Sequence, residues 1–236
     1  MNFFGHAWVA GWFSAGEAFI LGAMLPDLAN MLRAPPPASR HVEVSAGIRL
    51  HHDTDRVFHD TEVFRSLEGA GRRELSHAGV PKGARRALAH VGVELLIDAE
   101  LAARAPAWTG YALALRYGST AACGERLDWA SAETRPRFSA LCERLAAAAG
   151  AHTQTARIAQ RLVAALAGRP RLELAPEHAP LVEPWLAACR SDVSARLPEL
   201  LAELSHQLAA PEPVSSRLTP TPGAGSPDPT PRSPAR

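Results

Sequence analysis

The 236-residue sequence predicts an all-α fold, organised as a single-domain helical bundle. Alanine, leucine and arginine dominate the composition, and all three residues favour helices. Apolar residues recur three and four positions apart, whereas no segment combines strict alternation with turn signals, as strands would. A chain that is 47% hydrophobic and 21% charged is typical of a globular protein with an extensive core.

The first third of the chain predicts three helices. Residues 3–25 indicate a buried helix pair, in which Ser14 caps the second helix and Pro26 kinks or ends it. The proline run at 35–37 predicts a stiff loop, and the apolar spacing over 41–56 predicts the next helix.

Glycine and proline mark predicted starts and ends of the remaining helices. One helix, with Val63 and Leu67 on its apolar face, is expected to stop at the glycines 69–71. Pro81 opens a long helix that reaches about residue 103. The later Ala- and Leu-rich segments predict amphipathic helices over 109–122, 133–149, 152–167 and 178–208.

The chain divides into a helical domain over 1–210 and a tail over 211–236. Eight of the 20 prolines lie in the tail, together with Ser, Thr and Gly. Such a segment cannot bury enough apolar surface to offset its ordering entropy, so we expect it to be disordered.

Charge and cysteine content exclude several classes of protein. A formal net charge of +1 argues against a nucleic-acid-binding protein, which usually carries a basic excess. Three widely separated cysteines indicate neither a disulfide framework nor a zinc knuckle, and the first residues lack a basic signal-peptide region. His6 and Glu17 interrupt the apolar start, so no membrane span is predicted and a cytoplasmic location is expected.

Histidines and acids in the first half carry the strongest chemical signal. His51, Asp55 and His59 follow one another at intervals of four, which places them on one helix face. Two imidazoles and a carboxylate on one face are ligands that a divalent metal binds. Local His–Asp pairs on a solvated face are the alternative explanation.

A second segment repeats this pattern inside an apolar helix. His90, Glu94 and Asp98 are again four residues apart, and their apolar neighbours should bring them towards the core. Buried charges are costly unless they are paired or bind a metal. A structural network neutralised by Arg49 or the arginines near residue 85 is the competing interpretation. Asp27, after a proline, and His6, in an apolar stretch, are weaker candidates on their own.

Four motifs together resemble the bacterial acyl carrier protein phosphodiesterase family, which is similar to the HD-type metal-dependent phosphohydrolases. Met1–His6 looks like its M-N-F-x-x-H, and Gly22–Asp27 looks like its G-x-x-x-x-D. Gly47–Asp55 is similar to its G-I-x-x-H-x-x-x-D, and Glu94–Asp98 looks like its helical D-x-x-x-D. The resemblance covers roughly residues 1–105.

The resemblance implies metal-assisted hydrolysis of a phosphodiester, namely release of 4'-phosphopantetheine from holo-acyl carrier protein. The cofactor would be Mn²⁺ or Mg²⁺, with Zn²⁺ as an alternative. Asp98 or His90 would orient a ligand or move the proton, and Arg49 would neutralise phosphate charge. The metal would be held by Asp27, His51 and Asp55, with His6, His59 and Glu94 as further candidate ligands.

The partner implied is an acyl carrier protein or a small phosphodiester. An acidic carrier protein needs a basic docking surface, which a five-residue cluster offers: Arg72, Arg73, Lys82, Arg85 and Arg86. Two alternatives remain open. The histidine-rich segments also look somewhat like the zinc-dependent phospholipases C and related helical nucleases, and a non-catalytic helical scaffold would use the same residues in internal salt bridges.

Overall fold

The computed structural model describes residues 1–104, 108–148, 153–167, 169 and 171–209. The predicted disordered tail over 211–236 lies outside the described residues. The described chain forms one all-α bundle, which confirms the predicted fold class. Its elements in chain order are α1 (Phe3–Ala10), α2 (Glu17–Met31), β1 (Ala38–Ser39), α3 (Val42–Asp60), α4 (Glu62–His77), α5 (Lys82–Arg104), α6 (Trp108–Gly118), α7 (Ala121–Gly124), β2 (Leu127–Asp128), α8 (Thr134–Ala147), α9 (Thr155–Leu166), a 3₁₀ helix (Pro176–Leu181) and α10 (Val182–Ala209).

Helix α2 continues through Pro26 to Met31. Leu25 and Leu28 are fully buried on either side of the proline. This packing outweighs the helical hydrogen bond that proline cannot donate. The start of α2 also differs from the expectation, because Gly16 occupies the N-cap position and the Ser14 hydroxyl accepts a hydrogen bond from the Gly16 amide.

Two glycines allow α2 and α3 to pack with their backbones in close contact. A Cβ atom on Gly22 would collide with the backbone of Val44, and one on Gly47 would collide with the backbone of Phe19. This close packing brings the buried face of α3, which includes His51, against α2.

Helix α4 does not stop at residues 69–71, as the sequence analysis expected, but runs on to His77. Gly71 is buried beneath the Trp185 ring, and a Cβ there would lie 3.0 Å from a ring carbon. Gly92 on α5 faces the same ring from another side. These glycines are helix-packing positions, where a bulky side chain from α10 needs space.

Helix α5 is the central element of the bundle and packs against α1, α4, α9 and α10. Most of its residues from Leu88 to Ala102 are buried, including three acids, Glu94, Asp98 and Glu100. A two-residue antiparallel pair, β1 with β2, ties the loop before α3 to the loop before α8. None of the helices that the structure describes is long and apolar enough to cross a membrane.

Candidate metal centre

Side chains from three separate helices meet inside the N-terminal half of the bundle. His6 of α1, Asp27 of α2 and His51 of α3 each place one potential ligand atom within 4.8 Å of the others. The two imidazole rings stack with centroids 3.9 Å apart, and both histidines are buried. We call these three residues the first group.

Asp55, one turn after His51 on α3, faces both histidines of the first group. Its Oδ1 lies 3.1 Å from His6 Nε2, and its Oδ2 lies 3.5 Å from His51 Nε2. The other ring nitrogen of His51, Nδ1, lies 2.9 Å from the carbonyl oxygen of Ala23. Donation from Nδ1 to that carbonyl leaves Nε2 with its lone pair directed at Asp55, which is the arrangement that metal-binding histidines adopt.

The second group consists of His59, His90 and Glu94, whose ligand atoms also lie within 4.8 Å of one another. His59 Nε2 lies 3.1 Å and His90 Nε2 lies 3.5 Å from the same glutamate oxygen, Oε1. The second group is more accessible than the first, because its two histidine side chains are 35% and 39% exposed.

The Met1 amino group lies between the two groups. Its nitrogen is 3.1 Å from Asp55 Oδ1 and 3.0 Å from Glu94 Oε1, and it is fully buried. A positive charge at this point therefore contacts Asp55, which faces the first group, and Glu94 of the second group.

Few positive charges balance the acids of this region. Asp27, Asp55, Glu94 and Asp98 all lie within it, and among the described residues their ion pairs are with histidines and the Met1 amino group, not with arginine or lysine. Asp55 and Glu94 share the one amino group of Met1, and since buried carboxylates require compensation, a bound cation would stabilise this arrangement.

Burial and neighbouring charges shift the pKa of both histidines of the first group and of the carboxylates near them. Burial lowers the pKa of His6, and burial together with the neighbouring His6 lowers the pKa of His51 to about 3, so both imidazoles are uncharged near pH 7. Burial raises the pKa of Asp27 well above its usual value. Burial opposes ionisation of Glu94, but the Met1 amino charge and the His59 hydrogen bond outweigh it and hold the pKa at about 2.

Two buried polar atoms of the first group lack a hydrogen-bond partner within the described part of the chain. They are Asp27 Oδ2 and His6 Nδ1. Unsatisfied buried acceptors are rare in folded proteins because each one costs free energy. A neutral imidazole and a carboxylate with unused lone pairs are a donor set that fits a divalent cation.

A cavity of about 490 Å³ opens beside the first group. Asp27 lines it together with three arginines, Arg33, Arg161 and Arg169, and several apolar side chains. Arg33 adopts a left-handed backbone conformation with φ of +53°, which is unusual for a residue other than glycine. The cavity therefore combines a candidate metal ligand with basic and apolar surfaces.

The predicted catalytic residues lie in three different environments. Asp98 is buried, and its carboxylate accepts hydrogen bonds from the Phe4 and Gly5 amides at the start of α1. His90 belongs to the second group. Arg49 is exposed on α3, and because residues two apart on a helix point to different sides, it does not share the His51 face.

Several residues of this region carry no signal in the sequence. Glu68 contacts His90 Nδ1 at 3.3 Å, and Arg33 and Arg169 line the cavity. Glu68 lies on α4, directly before the glycines at which that helix was expected to stop. The two arginines lie outside the histidine-rich segments. No local spacing in the sequence indicates any of these contacts.

Comparisons with known proteins assign no family to the chain. No family model matches it, and neither the curated proteins nor the solved structures yield a significant match.

Proposed function

We propose that this protein is a metal-dependent phosphodiester hydrolase whose cation binds at His6, Asp27, His51 and Asp55. The observation that carries the proposal is the convergence of two neutral, buried imidazoles and two carboxylates that no arginine or lysine of the described residues neutralises. The motif resemblance to acyl carrier protein phosphodiesterases supports the same chemistry.

The donor set narrows the choice of metal. Two imidazole nitrogens and two carboxylate oxygens suit Mn²⁺ or Zn²⁺, whereas Mg²⁺ prefers oxygen ligands and retains several waters. A divalent cation held here supplies polarisation of a phosphoryl oxygen and lowers the pKa of a water molecule bound to it.

The residues around the cation have distinct tasks in this proposal. The Ala23 carbonyl orients His51 through Nδ1. Asp98 fixes the first turn of α1, from which His6 projects, by accepting the Phe4 and Gly5 amides. Arg33 and Arg169 bind the negative charge of the substrate in the cavity that Asp27 lines, and the apolar wall excludes water.

The proposal is tested by hydrolysis of bis(p-nitrophenyl) phosphate by the full chain with Mn²⁺ or Zn²⁺. We expect chelator-sensitive hydrolysis that falls at least about 100-fold in Asp27→Asn and His51→Gln, since each variant removes a direct ligand. His77→Gln, a change on the exposed face of α4, is the matched control. Full activity of both site variants would disprove the assignment.

An acyl carrier protein is the more specific substrate that we propose. Lys82 and Arg86 at the start of α5 are exposed and line a second cavity, whereas Arg72 pairs with Glu68 and Arg85 bonds to the Ser76 hydroxyl. Release of phosphopantetheine from holo-acyl carrier protein, lost on changing Lys82 and Arg86 to glutamine, would support this substrate. If the wild type and this variant hydrolysed bis(p-nitrophenyl) phosphate equally but neither released phosphopantetheine, only the general phosphodiesterase activity would be supported.

The imidazole-rich second group favours one alternative, a hydrolase of the zinc-dependent phospholipase C or nuclease type. Phosphatidylcholine and single-stranded DNA, assayed with Zn²⁺, separate this alternative from the carrier protein. A melting temperature that no divalent cation changes would instead favour a non-catalytic scaffold, because a ligand of the native state stabilises it.

A further inference from the structure

The second group differs from the first in its ligands, its exposure and the cavity beside it. We propose that His59, His90 and Glu94 form a second divalent-cation site, distinct from the site at His6, Asp27 and His51. Its use in catalysis rests on the proposed hydrolase function, but the binding of the cation does not.

The geometry of the second group matches that of a metal site. Both Nε2 atoms approach the same carboxylate oxygen of Glu94, at 3.1 Å and 3.5 Å. Two ligands on a tetrahedral zinc ion are about 3.3 Å apart, given zinc–nitrogen distances of about 2.0–2.1 Å. The two rings are stacked nearly parallel, with an angle of 16° and centroids 5.0 Å apart, while their Nε2 atoms both approach Glu94 Oε1.

A carboxylate behind His90 completes the arrangement. Glu68 Oε1 lies 3.3 Å from His90 Nδ1, and Arg72 binds the other oxygen of Glu68 at 3.0 Å. An imidazole that donates Nδ1–H to a carboxylate keeps Nε2 free as a ligand, and this outer partner is a regular feature of histidine–metal sites. The first group has the same feature in the Ala23 carbonyl behind His51.

The second group opens towards solvent through its own cavity. His90 and Glu68 line a cavity of about 640 Å³ together with three basic residues, Lys82, Arg86 and Arg171. The cavity beside Asp27 is lined by a different set of arginines, and Val91 of α5 lines both. A cation at the second group would therefore lie close to basic side chains suited to a phosphate.

This site assigns His90 to cation binding rather than to the proton transfer that the sequence analysis predicted. The structural alternative is a hydrogen-bonded network, in which Glu94 accepts hydrogen bonds from His59, His90 and the Met1 amino group without a metal. The two accounts differ in the number of cations that the protein binds.

Metal stoichiometry tests the proposal. The purified full chain is stripped with chelator, incubated with excess Zn²⁺, desalted and analysed by elemental mass spectrometry. We expect two zinc ions per wild-type chain and one in His59→Gln/His90→Gln. Asp27→Asn/His51→Gln should also retain one, and the surface variant His77→Gln/His206→Gln should retain two.

The results separate this proposal from the proposed function. Equal numbers of zinc ions in the wild type and in His59→Gln/His90→Gln, with native helical content of the variant by circular dichroism, would overturn the second site. Two zinc ions in the wild type and one in that variant would support it, even if the protein hydrolysed no phosphodiester. Hydrolysis by a wild-type protein that binds one zinc ion, with that ion retained in His59→Gln/His90→Gln, would sustain the function and remove the second site.

Discussion

Helix α5 buries two glutamates to nearly the same degree, yet their surroundings differ. Glu94 is 9% exposed and contacts His59, His90 and the Met1 amino group. Glu100 is 8% exposed and is held by the Arg190 guanidinium at 2.9 Å.

The difference separates a structural ion pair from a candidate site. Arg190 also donates to the Thr153 carbonyl and the Thr155 hydroxyl, so it links α10 to α5 through Glu100 and to the start of α9 through the two threonines. Its permanent charge matches that of Glu100. Among the described residues Glu94 pairs with no arginine or lysine, and the Met1 amino group that contacts it also contacts Asp55, so these two carboxylates share one cationic group.

Asp98 lies between these two glutamates on α5. Its ionisation should have the largest predicted effect on the free energy of unfolding. Burial outweighs its hydrogen bonds from Gly5 and Phe4 and raises its pKa from 3.8 to about 7. Between these pH values the folded state holds a proton that the unfolded state releases. The contribution of Asp98 to stability is therefore greatest below about pH 4, falls as the pH rises to about 7, and is constant above.

Asp98→Asn should remove this dependence. In chelator-treated protein, the difference in free energy of unfolding between variant and wild type should shift in favour of the variant by up to about 4 kcal/mol from pH 4 to pH 7.5. Urea denaturation at several pH values measures it, with the exposed Asp192→Asn as control. A difference that is independent of pH would show that Asp98 ionises normally.

Breaking the structural ion pair tests the other end of α5. Arg190→Met should lower the free energy of unfolding by about 3 kcal/mol, because it leaves the Glu100 charge buried without its partner. The loss should be the same with and without Mn²⁺. A loss that appears only when the cation is present would mean that Glu100 also belongs to the metal centre.

Cation binding should distinguish the two glutamates directly. Zn²⁺ at 100 times its dissociation constant should stabilise the wild type by about 2.7 kcal/mol for each site. Glu94→Gln should lose the stabilisation that comes from Zn²⁺ at the second group. Glu100→Gln should keep the full stabilisation by Zn²⁺, although this variant is less stable than the wild type without the metal. Thermal unfolding with and without Zn²⁺ measures both, and equal behaviour of the two variants would contradict the distinction.

The sequence predicts those features that depend on spacing within a helix. The pairs His51–Asp55 and His90–Glu94, each four residues apart, lie 3.5 Å apart as one helix face requires. The all-α class follows from the same periodicity. The continuation of α4 past residue 71 depends on Trp185, a residue more than a hundred positions away, so local punctuation cannot predict it.

The convergence of the helices is likewise a tertiary property. The Asp98 contacts with the amides of α1 join residues more than ninety positions apart. Through these contacts Asp98 holds the start of α1 in place, although the pattern of Glu94–Asp98 resembles a metal-ligand motif. The resemblance in motif order brought His6, Asp27 and His51 together as candidates, because their separation along the chain carries no spacing signal. The cavity arginines belong to no motif, and only the tertiary structure, which brings residues from the end of α2 and from α9 to one cavity, places them beside Asp27.

Arg33 gives the smallest predicted effect and tests whether the cavity beside the first group receives the substrate. Arg33→Gln removes one positive charge from the cavity wall and keeps a side chain of similar length. A charge-assisted hydrogen bond to an anion is worth about 1.4 kcal/mol, so KM for an anionic phosphodiester should rise about tenfold with little change in kcat. Arg40→Gln, which affects an exposed arginine paired with Asp128 outside the cavity, is the control. A tenfold rise in both variants would indicate a general effect of surface charge, and an unchanged KM in Arg33→Gln would place the substrate elsewhere.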